Sequence, residues 1–346
     1  MAVTATCRTL GRARVAAMKL GHRLRFALFV SVLGVLSLEG LVRILSQPAI
    51  ERDGARLPPD PDLLWRQPLG ERENHGTRIR INSLGMRGPE VEDKDSGECR
   101  VVSVGDSSVF GFLVAESESY TAVACQNQDC QPMLLASPGY STVQSLVWLE
   151  RVGQTLQPDW IVIGNLWSDQ SVVGFQDKDL VRDYSVFRRR WQWQWLRLLR
   201  RSALFNQLRI AYLGDAKQAR RDVAWQSGWN QGDMGEPRVP IEDYAENLSA
   251  LTTLSQSFGA AVAFVGLAKK SELEGAYDER AEQYRSLLRQ TAELAQAPYI
   301  DAKTIWLDAD VPSEQLFADF LHPSAEGHRL LGEAMSTSID FGQACD

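Results

Sequence analysis

Residues 100–111 read Arg-Val-Val-Ser-Val-Gly-Asp-Ser-Ser-Val-Phe-Gly. The run Arg100–Val104 is short and rich in β-branched side chains, which predicts a buried strand. Gly105-Asp106-Ser107-Ser108 then breaks it abruptly. In an open α/β sheet, ligands collect just beyond the carboxyl ends of the strands. Ser107 stands at that position. Gly105 and Gly111 on either side permit tight turns and close backbone approach. A serine there becomes a nucleophile only beside a base. The plainer alternative is an ordinary turn in which Asp106 or Ser107 caps a helix.

Downstream, strand-like and helix-like segments alternate. Met133–Ala136, Trp160–Ile163, Ala260–Leu267 and Tyr299–Asp301 read as strands. Segments 116–125, 142–154, 241–257, 277–295 and 324–335 read as helices. Such alternation predicts an α/β domain with a parallel sheet of about five strands and helices on both faces. About 180–235 fits no such unit. Residues 182–201 hold seven arginines and one acid, interleaved with Trp191, Trp193 and Trp195. We read it as a helical insertion. Its tryptophans can pack on the core while its arginines face water, the reading we favour. Indoles and arginines at a membrane interface are the alternative. Upstream, Pro48, Pro58, Pro59, Pro61 and Pro68 make residues 46–98 a linker and extended lead-in.

The chain has 346 residues, a formal charge of −7 and 44% hydrophobic residues. A sizeable core can form, and a collagenous or low-complexity chain is excluded. The acidic balance argues against general nucleic-acid binding. The charge is polarised, however. Residues 1–25 carry six basic side chains and no acid, leaving −13 on the remainder. Phe26–Leu38 follows without a charge, and apolar character resumes after Glu39. A basic start before an apolar run is a signal peptide or an N-terminal anchor. No convincing small-x-small cleavage site follows, so an anchor over 26–45 is the expectation, with a buried or amphipathic helix as the alternative. Glu39 and Arg43 lie four apart and can pair on one helix face. The positive-inside rule would keep the tail in the cytoplasm and the body outside.

Among five cysteines, Cys125 and Cys130 could close a small disulfide loop in an oxidising compartment. Cys99 and Cys345 could pair if the fold brings the chain end beside the first strand. Isolated buried thiols are the alternative, and no pair has zinc-ligand spacing. The four histidines are His22, His75, His322 and His328. In Asp319-Phe320-Leu321-His322-Pro323-Ser324, an acid three residues before a histidine can reach its imidazole and hold the ring. Ser324 can cap the closing helix. His328 lies inside that helix and reads as structural.

Together these motifs resemble the SGNH (GDSL-type) hydrolase family, in its membrane-anchored bacterial type. Gly105-Asp106-Ser107-Ser108 is similar to the first block, with serine for the usual fourth-position leucine. Ser137–Thr142 resembles the second block, Asp319 and His322 the fifth, and Ile81–Gly88 the lead-in of membrane-anchored members. The third block departs: Ile163-Gly164-Asn165-Leu166-Trp167-Ser168-Asp169 places Ser168 where asparagine belongs, with Asn165 three residues earlier. The resemblance implies a three-layer α/β/α, flavodoxin-like domain over 99–346. It implies a serine esterase whose acyl-enzyme forms on Ser107, with His322 as base and Asp319 orienting it. The backbone N–H groups of Ser107 and Gly139, with Ser168 or Asn165, would form the oxyanion hole. No cofactor or metal is implied. The substrate would be an ester-bearing small molecule, glycan or lipid, with carbohydrate O-acetyl as one candidate. An acyltransferase with the same residues, or a binding module with weakened catalysis, are the competing functions. The implied location is the bacterial inner membrane, single-pass, with the catalytic domain outside the cytoplasm.

Overall fold

Strand β3, Arg100–Gly105, is buried along its whole length and sits second in a five-stranded sheet. Its neighbours are β4 (Gln131–Ala136) and β5 (Trp160–Ile163), followed by β6 (Ala261–Gly266) and β7 (Tyr299–Asp301). Every pairing in this sheet is parallel. Strands buried on both faces read as near-continuous apolar runs, as Val101–Val104 and Trp160–Ile163 do. The order β4-β3-β5-β6-β7 is the doubly wound, flavodoxin-like one. Its direction reverses between β3 and β5, so the crevice at their carboxyl ends is where a ligand site belongs.

This computed structural model describes residues 3–45, 60, 63, 65–74, 76–172, 176–178, 202, 204–205, 208 and 237–345. Most of the Arg/Trp insertion, much of the linker and His75 lie outside the described residues. So does the side chain of His22. The chain divides into two compact units: residues 1–52 with 189–219, and residues 53–188 with 220–346.

The first unit contains helix α1, Val3–Leu45, so the basic tail and the apolar run form one helix rather than two segments. Arg25–Leu45 is 21 residues long with mean hydropathy 2.0 and none of it buried. It spans about 31 Å, enough to cross the hydrocarbon of a bilayer. Arg43 pairs with Glu39 at 2.6 Å, as the spacing predicted. The second Glu39 oxygen accepts hydrogen bonds from Ser202 Oγ at 2.6 Å and Leu204 N at 2.9 Å.

The second unit is the α/β body. Its lead-in is more regular than its prolines suggested. Strands β1 (Gly70–Asn74) and β2 (Thr77–Ile81) form an antiparallel pair. Thr-Arg-Ile-Arg-Ile alternates strictly, with Ile79 and Ile81 buried and Arg78 and Arg80 outside. That period of two was the sequence signal, masked by the charges around it. The predicted helix over 116–125 is also divided. A single turn at Glu116–Glu118 precedes helix α3, Tyr120–Gln126. Ser119 breaks them because its hydroxyl accepts the Ala122 N–H as an N-cap.

Helices α4 (Thr142–Leu156), α6 (Ile241–Ser257), α7 (Glu279–Leu294) and α9 (Ala325–Ser338) cover the sheet, with shorter ones between them. These include α5 (Trp167–Gln170) and α8 (Ala302–Asp308). The C-terminal turn docks where β3 and β5 begin, with Trp160 Nε1 of β5 donating to Phe341 O at 2.9 Å. That docking brings Cys345 to Cys99, and the two form a disulfide with Cα atoms 5.1 Å apart. Cys125 and Cys130 form the second disulfide.

Candidate active site

Asp106 follows β3 directly and caps the short helix α2, Ser107–Phe110. One of its oxygens accepts Ser108 N at 3.0 Å. The other accepts Trp167 N at 3.0 Å and Ser168 N at 3.3 Å. Burial pushes its carboxyl above the ordinary value, against the pull of those three N–H groups. Asp106 therefore ties the turn bearing Ser107 to the loop after β5. Gly105 lets this turn approach closely, since a Cβ there would run into the Val109 side chain. Behind α2, the buried Arg87 donates to Phe110 O at 2.9 Å, Gly111 O at 2.5 Å and Val114 O at 2.7 Å. It satisfies carbonyls that a helix end leaves open. Burial lowers its pKa to about 10.

Ser107 lies 215 residues from His322, yet Ser107 Oγ and His322 Nε2 are 2.8 Å apart. His322 Nδ1 and Asp319 Oδ2 are 2.6 Å apart. The other Asp319 oxygen accepts the backbone N–H groups of Leu321 and His322, both at 2.7 Å. Burial pushes the Asp319 carboxyl up, but hydrogen bonds from the His322 ring and from these N–H groups outweigh it. The carboxyl is held below its usual range. An acceptor on Nδ1 selects the tautomer with the proton there, leaving Nε2 free to accept from Ser107. The turn is fixed by Ala318 N donating to His322 O at 2.9 Å and by Ser324 Oγ capping α9 through Gly327 N at 3.2 Å. Phe112 lies against His322 with the rings tilted by 48° and their centres 4.7 Å apart.

His328 is structural, as expected. It is wholly buried, its Nδ1 accepts Tyr120 N at 3.2 Å, and its ring stacks on Tyr120. Burial drives its pKa down to about 3.

Gly139 has φ 81°, a conformation that favours glycine. The backbone N–H groups of Ser107 and Gly139 make no hydrogen bond to any described residue. Asn165 and Ser168 are both fully buried, and neither the Asn165 amide nor the Ser168 hydroxyl has a partner among the described residues. Both remain able to donate. Tyr244 OH anchors the Asn165 carbonyl at 2.7 Å. Asp169, which follows Ser168, accepts Thr142 N at 2.9 Å and Thr142 Oγ1 at 2.5 Å, joining this loop to the segment after β4. Burial raises its pKa to about 7.

Sequence reasoning missed Arg87, Asp169 and a buried pair of Asp177 and Arg238. Their partners are backbone groups or side chains distant in sequence, which leave no residue pattern to read. Cys99, Asp159 and Cys345 cluster closely enough to hold a metal, but the two sulfurs are joined to each other and offer no thiolate.

Residues 181–330 match the family of GDSL-like lipases and acylhydrolases, a stretch that includes Asp319 and His322. The matched stretch covers 150 of the 346 residues. The matching GDSL-like domain supports a serine hydrolase acting on ester bonds. Solved structures it resembles include a lipolytic protein of the G-D-S-L family from Desulfitobacterium hafniense. That one is 15% identical, with 70% of this chain and 100% of that one covered and a TM-score of 0.45. A lipase/acylhydrolase from Enterococcus faecalis is 16% identical, with 70% and 95% covered and a TM-score of 0.43. The acetylxylan esterase Axe2 from Geobacillus stearothermophilus is 15% identical, with 71% and 96% covered and a TM-score of 0.43. No curated protein matches the hydrolase in sequence.

Proposed function

We propose that this chain is a membrane-anchored serine esterase that cleaves an acyl ester outside the cytoplasm through an acyl-enzyme on Ser107. The observation that carries it is the line Asp319–His322–Ser107, with contacts of 2.6 and 2.8 Å. Ser107 Oγ attacks the ester carbonyl while His322 Nε2 takes its proton. The tetrahedral intermediate collapses, and His322 returns the proton to the departing alcohol. Water then attacks the acyl-enzyme by the same route in reverse, releasing the acid and free Ser107. Asp319 holds the ring and stabilises the imidazolium. The Ser107 and Gly139 N–H groups, with Asn165 or Ser168, meet the oxyanion. Their lack of other partners supports an intact donor set despite the altered third block.

The anchored, extracytoplasmic placement draws support from three features: the basic start of α1, its 21-residue apolar span, and two disulfides, which persist in oxidising compartments. Esters met there belong to surface glycans and lipids. We favour a short acyl group, such as O-acetyl on a carbohydrate, because Phe112 crowds the imidazole beside the nucleophile.

A fluorophosphonate probe tests the nucleophile. Wild type should label and Ser107→Ala should not; equal labelling would sink the reading. A chain-length series of esters should favour acetyl, and a preference for long chains would redirect the substrate to lipid. With an alcohol acceptor present, transfer outrunning hydrolysis would replace the esterase by an acyltransferase. Alkaline carbonate should leave the protein in the membrane fraction, and release would refute the anchor.

A further inference from the structure

Arg238 and Asp177 form a buried ion pair in the α/β body, their side chains 5% and 0% exposed. The guanidinium meets the carboxylate as a fork, Nε to Oδ1 at 3.1 Å and Nη2 to Oδ2 at 2.7 Å. The third nitrogen, Nη1, donates to the carbonyl of Gly139 at 2.7 Å. Ser141 Oγ donates to Asp177 Oδ2 at 2.6 Å, and Arg238 Nη2 also reaches Gln144 Oε1 at 3.2 Å. Gln144 Oε1 in turn accepts Ser141 N at 2.9 Å. The backbone is pinned alongside. Asp177 N donates to Arg238 O at 2.8 Å, Arg238 N to Ser171 O at 2.9 Å, and Val239 N to Asp169 O at 3.0 Å.

A buried ion pair is weak evidence for stability, because desolvation offsets most of the attraction. Geometry is the better reason for this one. Its free arm grips one residue, and that residue is Gly139. The loop is held at its flanks, by Ser137 N to Gly105 O at 3.3 Å and Tyr140 OH to Trp65 O at 2.6 Å, and among the described residues only Arg238 grips Gly139 itself. Tyr140 N closes a turn onto Ser137 O at 3.0 Å, and Gly139 crosses it at φ 81°. Glycine has no side chain to lock that torsion. The carbonyl is then the handle by which its peptide planes can be held, and the N–H on the other side of the same Cα follows.

We propose that Arg238, oriented by Asp177, is the positioning residue that aims the Gly139 N–H at the oxyanion. This rests on the esterase reading above. Oxyanion donors act only when placed near the developing charge, and a misplacement of about 1 Å can cost about 100-fold in rate. Such a residue acts on the transition state and leaves ground-state binding nearly untouched.

The test uses the full-length protein in detergent with p-nitrophenyl acetate as substrate and an alkylboronic acid as a tetrahedral mimic. Arg238→Ala should lower kcat about 10- to 100-fold with KM within about twofold. The boronate should bind weaker by the same factor as kcat/KM falls. Added guanidinium ion should restore part of the rate in Arg238→Ala and none in Ser107→Ala. Arg238→Lys should be intermediate, since one ammonium cannot span the Asp177 carboxylate and the Gly139 carbonyl as a fork does. Asp177→Asn should lose rate in the same pattern. If Arg238→Ala fails to fold, the lysine and asparagine variants carry the test. Folded variants with wild-type kcat would overturn the proposal, and so would a fall in kcat with boronate affinity unchanged. If wild type releases no acid, or Ser107→Ala releases it equally, both readings fall. Wild-type labelling by fluorophosphonate together with unimpaired Arg238 variants would overturn the positioning role alone.

Discussion

Replacing Asp319 by asparagine exchanges one carboxylate oxygen for an NH₂ group and forces a choice on the amide. In wild type, one oxygen accepts two backbone N–H groups at 2.7 Å while the other faces His322 Nδ1 at 2.6 Å. If the amide oxygen keeps the backbone pair, its NH₂ faces Nδ1, and donor meets donor. The imidazole must then shift its proton to Nε2, which lies 2.8 Å from Ser107 Oγ. A protonated Nε2 cannot accept the serine proton. If the amide instead turns its oxygen to the ring, its NH₂ confronts two N–H donors. That strands two partly buried donors, at about 1–3 kcal/mol each. The first arrangement therefore wins, and it is the inactive one. Loss of the correct tautomer costs about 10⁴-fold in kcat in a serine protease with this arrangement. That equals about 5.4 kcal/mol at 1.36 kcal/mol per decade. The fold should survive, because the backbone hydrogen bonds do. The assay is steady-state hydrolysis of p-nitrophenyl acetate by folded Asp319→Asn, with KM measured alongside. We expect kcat down about 1,000- to 10,000-fold and KM little changed. A loss of less than about tenfold would show that Asp319 does not set the tautomer, and the proton path would need another orienting group.

The Asp319 carboxyl is held below its unfolded value, so its stabilisation is present above the ordinary carboxylate pKa of 3.8 and is lost as pH falls through the folded value. The urea midpoints of wild type and Asp319→Asn should therefore converge below about pH 4, and a constant gap down to acid would contradict this. Gly105→Ala should destabilise by about 1–3 kcal/mol and lower kcat, because the new methyl meets Val109 on the turn bearing Ser107; unchanged melting would refute the close approach. Either Asn165→Ala or Ser168→Ala should lower kcat about 100-fold while the other stays within about tenfold; two mild variants would exclude both as oxyanion donors. The Cys99–Cys345 bridge closes 246 residues of chain, so the Cys99→Ser, Cys345→Ser double variant should lose about 2–5 kcal/mol, with equal melting of variant and oxidised wild type as the contrary result.

The sheet strands were legible in the sequence because a strand buried on both faces reads as a near-continuous apolar run, as Val101–Val104 and Trp160–Ile163 do. The hairpin over 70–81 was not, because its outer face is charged, its strands are short and the prolines upstream of it made the region read as a linker. Asp319 and His322 were legible because three residues separate them and one turn suffices to join them. Ser107 was legible as a serine at a strand end.

What the residues determine alone is therefore local: strand, turn, cap, apolar span, and an acid beside a histidine. Each follows from forces acting within a few residues of the chain. Tertiary structure decided the rest. It carried His322 across 215 residues to Ser107, set Cys345 beside Cys99, and closed Arg238 onto Asp177 and the Gly139 carbonyl. Those contacts are made by burial of the sheet's two faces, which is indifferent to sequence separation. They leave no spacing to read, because a carbonyl held by an arginine looks the same in every residue.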